Sequence, residues 1–190
     1  MSNLFFKRNS CFQKFIGHFR TVFLHRKTVR KLCFKCGLYK QGLLHDLTKY
    51  SFVEFWSGVK FYTGTKSPHV KEREVCGYSA AWLHHKGHNK HHPEYWQDIR
   101  PNGKTEPIEM LPRYFAEMVC DRVAASMIYL GDKYTDASPL EYYITHKDEV
   151  QMHPNTHASL EAWLTEVKDL GTDKAFNDLK KYIKDKEKNT

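Results

Sequence analysis

Apolar residues recur at every third or fourth position from Cys11 to Cys36, the spacing of one helical face, and Gly37 supplies a stop; the pattern predicts a long first helix. A short helix over about 41–49 follows. Ser51 can then cap a third, which carries Phe52, Phe55, Trp56, Val59, Phe61 and Tyr62 and ends at Thr63-Gly64-Thr65. Ser67-Pro68 opens a fourth, because proline fits a first helical turn, and Val75, Tyr78, Ala81 and Trp82 carry it to about His85, with Gly87 as the breaker.

From His88 to about Glu109 the helical period is lost, and Pro93, Pro101, Gly103 and Pro107 predict an ordered loop of about twenty residues. Loops of that length in a compact domain are usually functional, and with Tyr95 and Trp96 beside the histidines it is expected to be a lid. Helices resume over 111–129, 139–145, 155–170 and 173–184, with Ser138, Asn155 and Thr172 as caps. Strand-like alternation, internal repeats and low-complexity tracts are absent from the sequence. The expectation is an all-α helical bundle, a single domain over 1–190 with a histidine-rich loop at about 84–109, since 190 residues suffice for one sizeable core and not readily for two.

The first helix is amphipathic, with Phe12, Phe15, Ile16, Phe19, Val22 and Phe23 beside Lys14, Arg20 and Arg26. Such a stripe either lies on an anionic bilayer or packs on its own domain, and packing is the expected outcome because most apolar stripes are core faces. Tyr142, Tyr143, Trp163 and Phe176 are assigned to the core on the same grounds.

The net charge of +8 changes the picture only at the ends of the chain, where lysine and arginine crowd the first forty residues and the tail from Lys180. Excess positive charge attracts phosphates, nucleic acid included, or simply solvates a face. Five scattered cysteines, an odd number, fit a reducing cytosol and not a secreted disulfide scaffold, so a cytoplasmic location is expected. Asn3-Leu4-Phe5-Phe6, cut by Lys7 and Arg8, is too short for a signal peptide, and no apolar run is long enough to span a membrane. Cys33-Phe34-Lys35-Cys36 has the spacing of half a zinc site, but without a second pair the two read as buried thiols.

Chemistry is signalled by histidine. Five of the twelve, His84, His85, His88, His91 and His92, fall within nine residues, and His45-Asp46 lies upstream. Neutral imidazoles and carboxylates are natural ligands for Mn, Fe, Ni or Zn, and for Mg through the carboxylates. Asp121, an acid inside the apolar run Met118–Ala125, is costly to bury unless it is metal-bound or paired, for instance with Arg113. Glycine-rich phosphate loops, dinucleotide fingerprints and nucleophile elbows are missing.

The segment Leu43-Leu44-His45-Asp46-Leu47-Thr48-Lys49 resembles the LLHDIGK signature of HD-domain phosphohydrolases, departing from it at Leu47 and Thr48. The resemblance implies an HD-like bundle holding divalent metal ions, two if complete, on an earlier histidine, the His-Asp pair, two later histidines and a late aspartate. Here those are His25 (His18 being the competitor), His45, Asp46, one of His84 or His85, one of His91 or His92, and Asp121. His88 is expected to face solvent. The run from HDLTKYS through Ala81–His85, Asn89 and His91-His92-Pro93-Glu94 to CDRVAAS is also similar to a bacterial and phage family, a likeness that brings no substrate with it.

The resemblance further implies that Asp46 bridges the metals, that Lys49 and Arg122, with Asn89 beside them, bind the phosphate, and that Glu94 or a spare histidine moves the proton of the leaving oxygen. The expected activity is hydrolysis of a phosphate ester, a nucleotide if Tyr95 and Trp96 stack on a base. Two rivals remain at this point: a di-iron oxygenase of the HD type, and a metal-stabilised module that binds nucleic acid without catalysis.

Overall fold

A computed structural model describes residues 10–188 of the chain; the Asn3–Arg8 stretch discussed above lies outside them. Its main elements are α1 (Cys11–Lys35), α2 (Tyr39–Leu44), α3 (Phe52–Phe61), α4 (Pro68–Cys76), α5 (Ala80–His88), β1 (Gln97–Ile99), β2 (Thr105–Pro107), α6 (Pro112–Leu130), α7 (Ser138–His146), α8 (Pro154–Leu170) and α9 (Thr172–Lys188). The all-α expectation holds.

Helix α1 is the spine. A capping box starts it, with Ser10 accepting from the Gln13 amide while the Gln13 side chain accepts from Ser10 N. Gly37, at φ 76°, stops it, and the Leu38 amide returns to the Cys33 carbonyl at 2.8 Å. The C-terminal half of α1 meets α6, α8 and α9 in one apolar cluster that includes Val29, Leu32, Phe115, Val119, Leu160, Leu164, Phe176 and Leu179. The N-terminal half packs on α3, where Phe15 meets Phe55 edge to face. Helices α4 and α5 lean on α3 in turn. The candidate centre lies between these two groups.

Several expectations are corrected. The single helix expected over 67–85 is two, because Gly77 turns left-handed at φ 79° and Ser79 caps α5 through the Trp82 amide. Gly87 does not break α5, which continues to His88. The 88–109 segment carries an unexpected antiparallel hairpin, in which Gln97 pairs with Pro107 and Ile99 with Thr105. Trp96 fastens its base, donating to the Lys90 carbonyl and packing at a tilt against the Tyr114 ring, so this segment is anchored to the core.

The apolar stripe of α1 is covered only in part. Val22 is buried and Phe15 half-buried, but Phe12, Ile16, Phe19 and Phe23 are exposed; Tyr142, too, faces solvent while Tyr143 and Phe176 are buried. Cys33 and Cys36 are buried thiols as expected, and Cys120 joins them with its sulfur 4.0 Å from that of Cys36. Among the described residues no helix is long and apolar enough to cross a membrane.

Candidate metal centre

The His45-Asp46 pair does not sit inside a helix. α2 ends at Leu44, His45 is extended at φ −47° and ψ 126°, and Asp46 turns left-handed at φ 53° and ψ 28° before the 3-10 turn Leu47–Tyr50. Asp46 is the only non-glycine residue with positive φ among the described residues. That backbone costs roughly 1–2 kcal/mol for most L residues and less for Asp and Asn. In a continuous helix, adjacent side chains diverge by ~100°; the break lets both enter the interior, where each is almost fully buried.

Around Asp46 the donors fall into two sets. Its Oδ2 lies 3.3 Å from His45 Nε2 and 3.7 Å from His25 Nε2, and Asp121 Oδ1 closes that group at 2.9 Å from His25 Nε2 and 3.4 Å from His45 Nε2. On the other side, Oδ1 lies 3.4 Å from His85 Nε2 and 3.5 Å from His91 Nε2, with His92 beside them. Within each set, ligand atoms lie within 4.8 Å of one another, and Asp46 belongs to both. Of the alternatives left open, the structure brings into these groups His25 and not His18, His85 and not His84, and both members of the His91-His92 pair.

Two glutamates that the sequence reading passed over hold this arrangement. Glu117, on α6 one turn before Asp121, accepts from His45 Nδ1 at 2.9 Å and lies 3.3 Å from His91 Nδ1. Glu54, on the first turn of α3, reaches both His84 Nδ1 and His85 Nδ1 at 2.7 Å. A carboxylate on Nδ1 fixes the ring and leaves Nε2 bare toward the centre, the usual support for a metal-bound histidine. Glu117, His45 and His91 also form a third close group, but it uses the Nδ1 faces, so we assign it this supporting role.

Electrostatics follow the same plan. Burial alone would lower the His45 pKa, but Asp46, Asp121 and Glu117 outweigh it and hold the imidazole well above its ordinary 6.5. Burial likewise opposes ionisation of Asp46, yet His45, Lys49 and His85 keep its carboxyl well below the usual range; hydrogen bonds from His25 and His45 do the same for Asp121. Burial, then His91 and His85, push His92 well down.

The donor set fits divalent cations. Asp46 Oδ1, His91 Nε2 and His92 Nε2 are buried without a hydrogen-bond partner, and orphaned buried polar atoms are costly unless a ligand completes them. Mixed imidazole and carboxylate donors suit Mn, Fe, Ni or Zn better than Mg.

A cavity of about 190 Å³ opens on His25, His85, His92 and Asp121, and Lys49 lines it with its Nζ 2.7 Å from Asp46 Oδ2. The other expected residues stand elsewhere. His84 is partly exposed on Glu54, and His88 is exposed with its ring stacked on His84. Asn89 commits its amide to Thr48 Oγ1 and the His85 carbonyl, so it positions α5 and does not line the cavity. Arg122 points into a separate pocket beside Tyr142 and Tyr143, and Glu94 joins neither donor set nor the cavity. Tyr95 and Trp96 are likewise outside it. Asp121 pairs with histidine and not with Arg113, which binds Glu187.

Fold and site together define a helical protein with two buried groups of potential metal donors that share one aspartate. The chain belongs to the family of unknown function DUF5662, whose model matches residues 14–166. No curated protein and no solved structure matches it.

Proposed function

We propose that the chain is a metal-dependent phosphohydrolase acting on a phosphate ester at the Asp46 centre. The observation that carries this reading is the split of Asp46: Oδ1 faces one set of imidazole nitrogens and Oδ2 another, while Lys49 touches the same carboxylate and lines the adjoining cavity.

Two divalent cations held there supply Lewis acidity and an activated water. His25, His45, Asp46 and Asp121 hold one, and Asp46, His85, His91 and His92 the other. Lys49, paired with Asp46 and facing the cavity, balances negative charge on phosphate oxygens. Glu54 and Glu117 keep the rings from turning. Arg122, Asn89 and Glu94 are left without a direct part, and so is base stacking on Tyr95 and Trp96, which removes the main argument for a nucleotide. The free buried thiols fit a reducing, cytoplasmic setting.

The test is elemental analysis of the purified chain and an Asp46→Ala variant, followed by phosphate release from a panel of esters with Mn or Ni. About two ions per chain, lost in the variant, together with phosphate release support the reading. Iron with oxygen uptake and no phosphate release replaces it with an oxygenase, and no metal in either protein removes it.

A further inference from the structure

The cavity wall away from the metal centre is built from residues that the proposed hydrolysis does not use. His18, on α1, sits directly over Gly58 of α3: a Cβ at position 58 would lie 2.2 Å from His18 Nε2. That nitrogen is buried and has no partner. His69, on α4, presents Nδ1 to Ser79 Oγ at 3.4 Å, and the Ser79 hydroxyl donates to the buried Glu72 carboxylate. Ser79 has a single proton and gives it to Glu72, so toward His69 it can only accept. The His69 proton is thereby assigned to Nδ1, and its Nε2 is a bare acceptor. Both histidines line the cavity.

The cavity is poor in fixed charge. Its one cationic side chain is Lys49, already on Asp46, and its two carboxylates, Glu54 and Asp121, are each engaged by histidine. Nothing on the wall awaits a second charged group, while the Nε2 of His69 awaits a hydroxyl donor and the neutral His18 ring, its Nε2 closed off against Gly58, adds an uncharged surface. Val22, Ala125, Ile128 and Tyr129 supply an apolar side, which suits the C–H face of a sugar or polyol. At about 190 Å³ the space is also below the ~300–1,000 Å³ of clefts that enclose drug-sized ligands.

We propose that His18 and His69 form a neutral recognition wall, and that the substrate is a small phosphate monoester whose remaining part is uncharged and hydroxylated, a polyol or sugar phosphate and not a nucleotide. This rests on the phosphohydrolase reading, and the experiment separates the two.

The manganese-loaded full chain is assayed with ribose 5-phosphate, adenosine monophosphate and p-nitrophenyl phosphate, in the wild type and in His69→Leu and His69→Gln. The expected result is about a tenfold or greater preference in kcat/KM for the sugar phosphate over the nucleotide. His69→Leu raises KM for ribose 5-phosphate about tenfold, the loss of one directed hydrogen bond, with kcat/KM for p-nitrophenyl phosphate unchanged; His69→Gln, which keeps an acceptor, restores part of the loss. Equal handling of the nucleotide, or an equal effect of His69→Leu on both esters, overturns the proposal while the hydrolase reading stands. If no ester is cleaved, the hydrolase reading fails, and thermal shift decides the wall: stabilisation by ribose 5-phosphate in wild type but not in His69→Leu supports it, and equal or absent shifts overturn it.

Discussion

Glu117 Oε1 accepts the Nδ1 proton of His45 at 2.9 Å, which turns His45 Nε2 toward Asp46, Asp121 and His25. The orientation of the candidate centre thus depends on a residue that touches no metal. Removing the carboxylate in Glu117→Ala is expected to weaken metal binding about 10–100-fold while all direct ligands remain. Glu117→Gln, which keeps an acceptor for Nδ1, loses less. Metal titration by calorimetry ranks the three proteins, and equal affinities would remove Glu117 from the centre.

The left-handed backbone at Asp46 separates two effects of substitution. Asp46→Asn and Asp46→Ala both lose the bridging charge and both should purify without metal. Alanine also meets the cost of the left-handed conformation, so it should be less stable than the asparagine variant by about 1 kcal/mol in metal-free thermal or urea unfolding.

Metal uptake should release protons. In the metal-free chain the His45 pKa is raised above 6.5, so its contribution to stability is full below 6.5 and lost as pH rises through the raised value. The lowered carboxyls of Asp46 and Asp121 act in the other direction: their contribution is present above 3.8 and lost as pH falls toward their folded values. A cation must displace the His45 proton, so apparent affinity should fall with falling pH, and calorimetry in buffers of different ionisation enthalpy should report proton release on binding.

Gly58→Ala should destabilise the chain by roughly 1–3 kcal/mol, because its new methyl enters the His18 ring. His18→Ala in the same background should recover part of that loss. Additive effects in the double-mutant cycle would show that the two positions do not meet.

Much of the fold is legible in the sequence because helix periods and stops are local. α1 begins and ends as its apolar spacing and Gly37 dictate, and Pro68 and Pro112 stand at helix starts where proline belongs. The errors arise where a local signal has two physical outcomes. Gly87, read as a breaker, lies in a helix with open space around it, where glycine costs ~1 kcal/mol and breaks nothing. Gly77, ten residues earlier, is the position that turns left-handed. The candidate donors His25, His45, Asp46 and Asp121, expected from the resemblance to HD-domain phosphohydrolases, come together in one group. Glu117 could have been found four residues before Asp121 on the same helix face, but Glu54 faces the histidines only because α3 packs on α5, and no spacing encodes that. Tyr95 and Trp96 misled because an aromatic beside histidines serves a core as readily as a ligand.

The end of α2 at Leu44 carries one more consequence. Two consecutive residues normally point apart, yet here His45 and Asp46 close on one spot and act as a two-armed claw. One break in the backbone sets both arms, so the choice among ions should turn on the size and geometry of that bite.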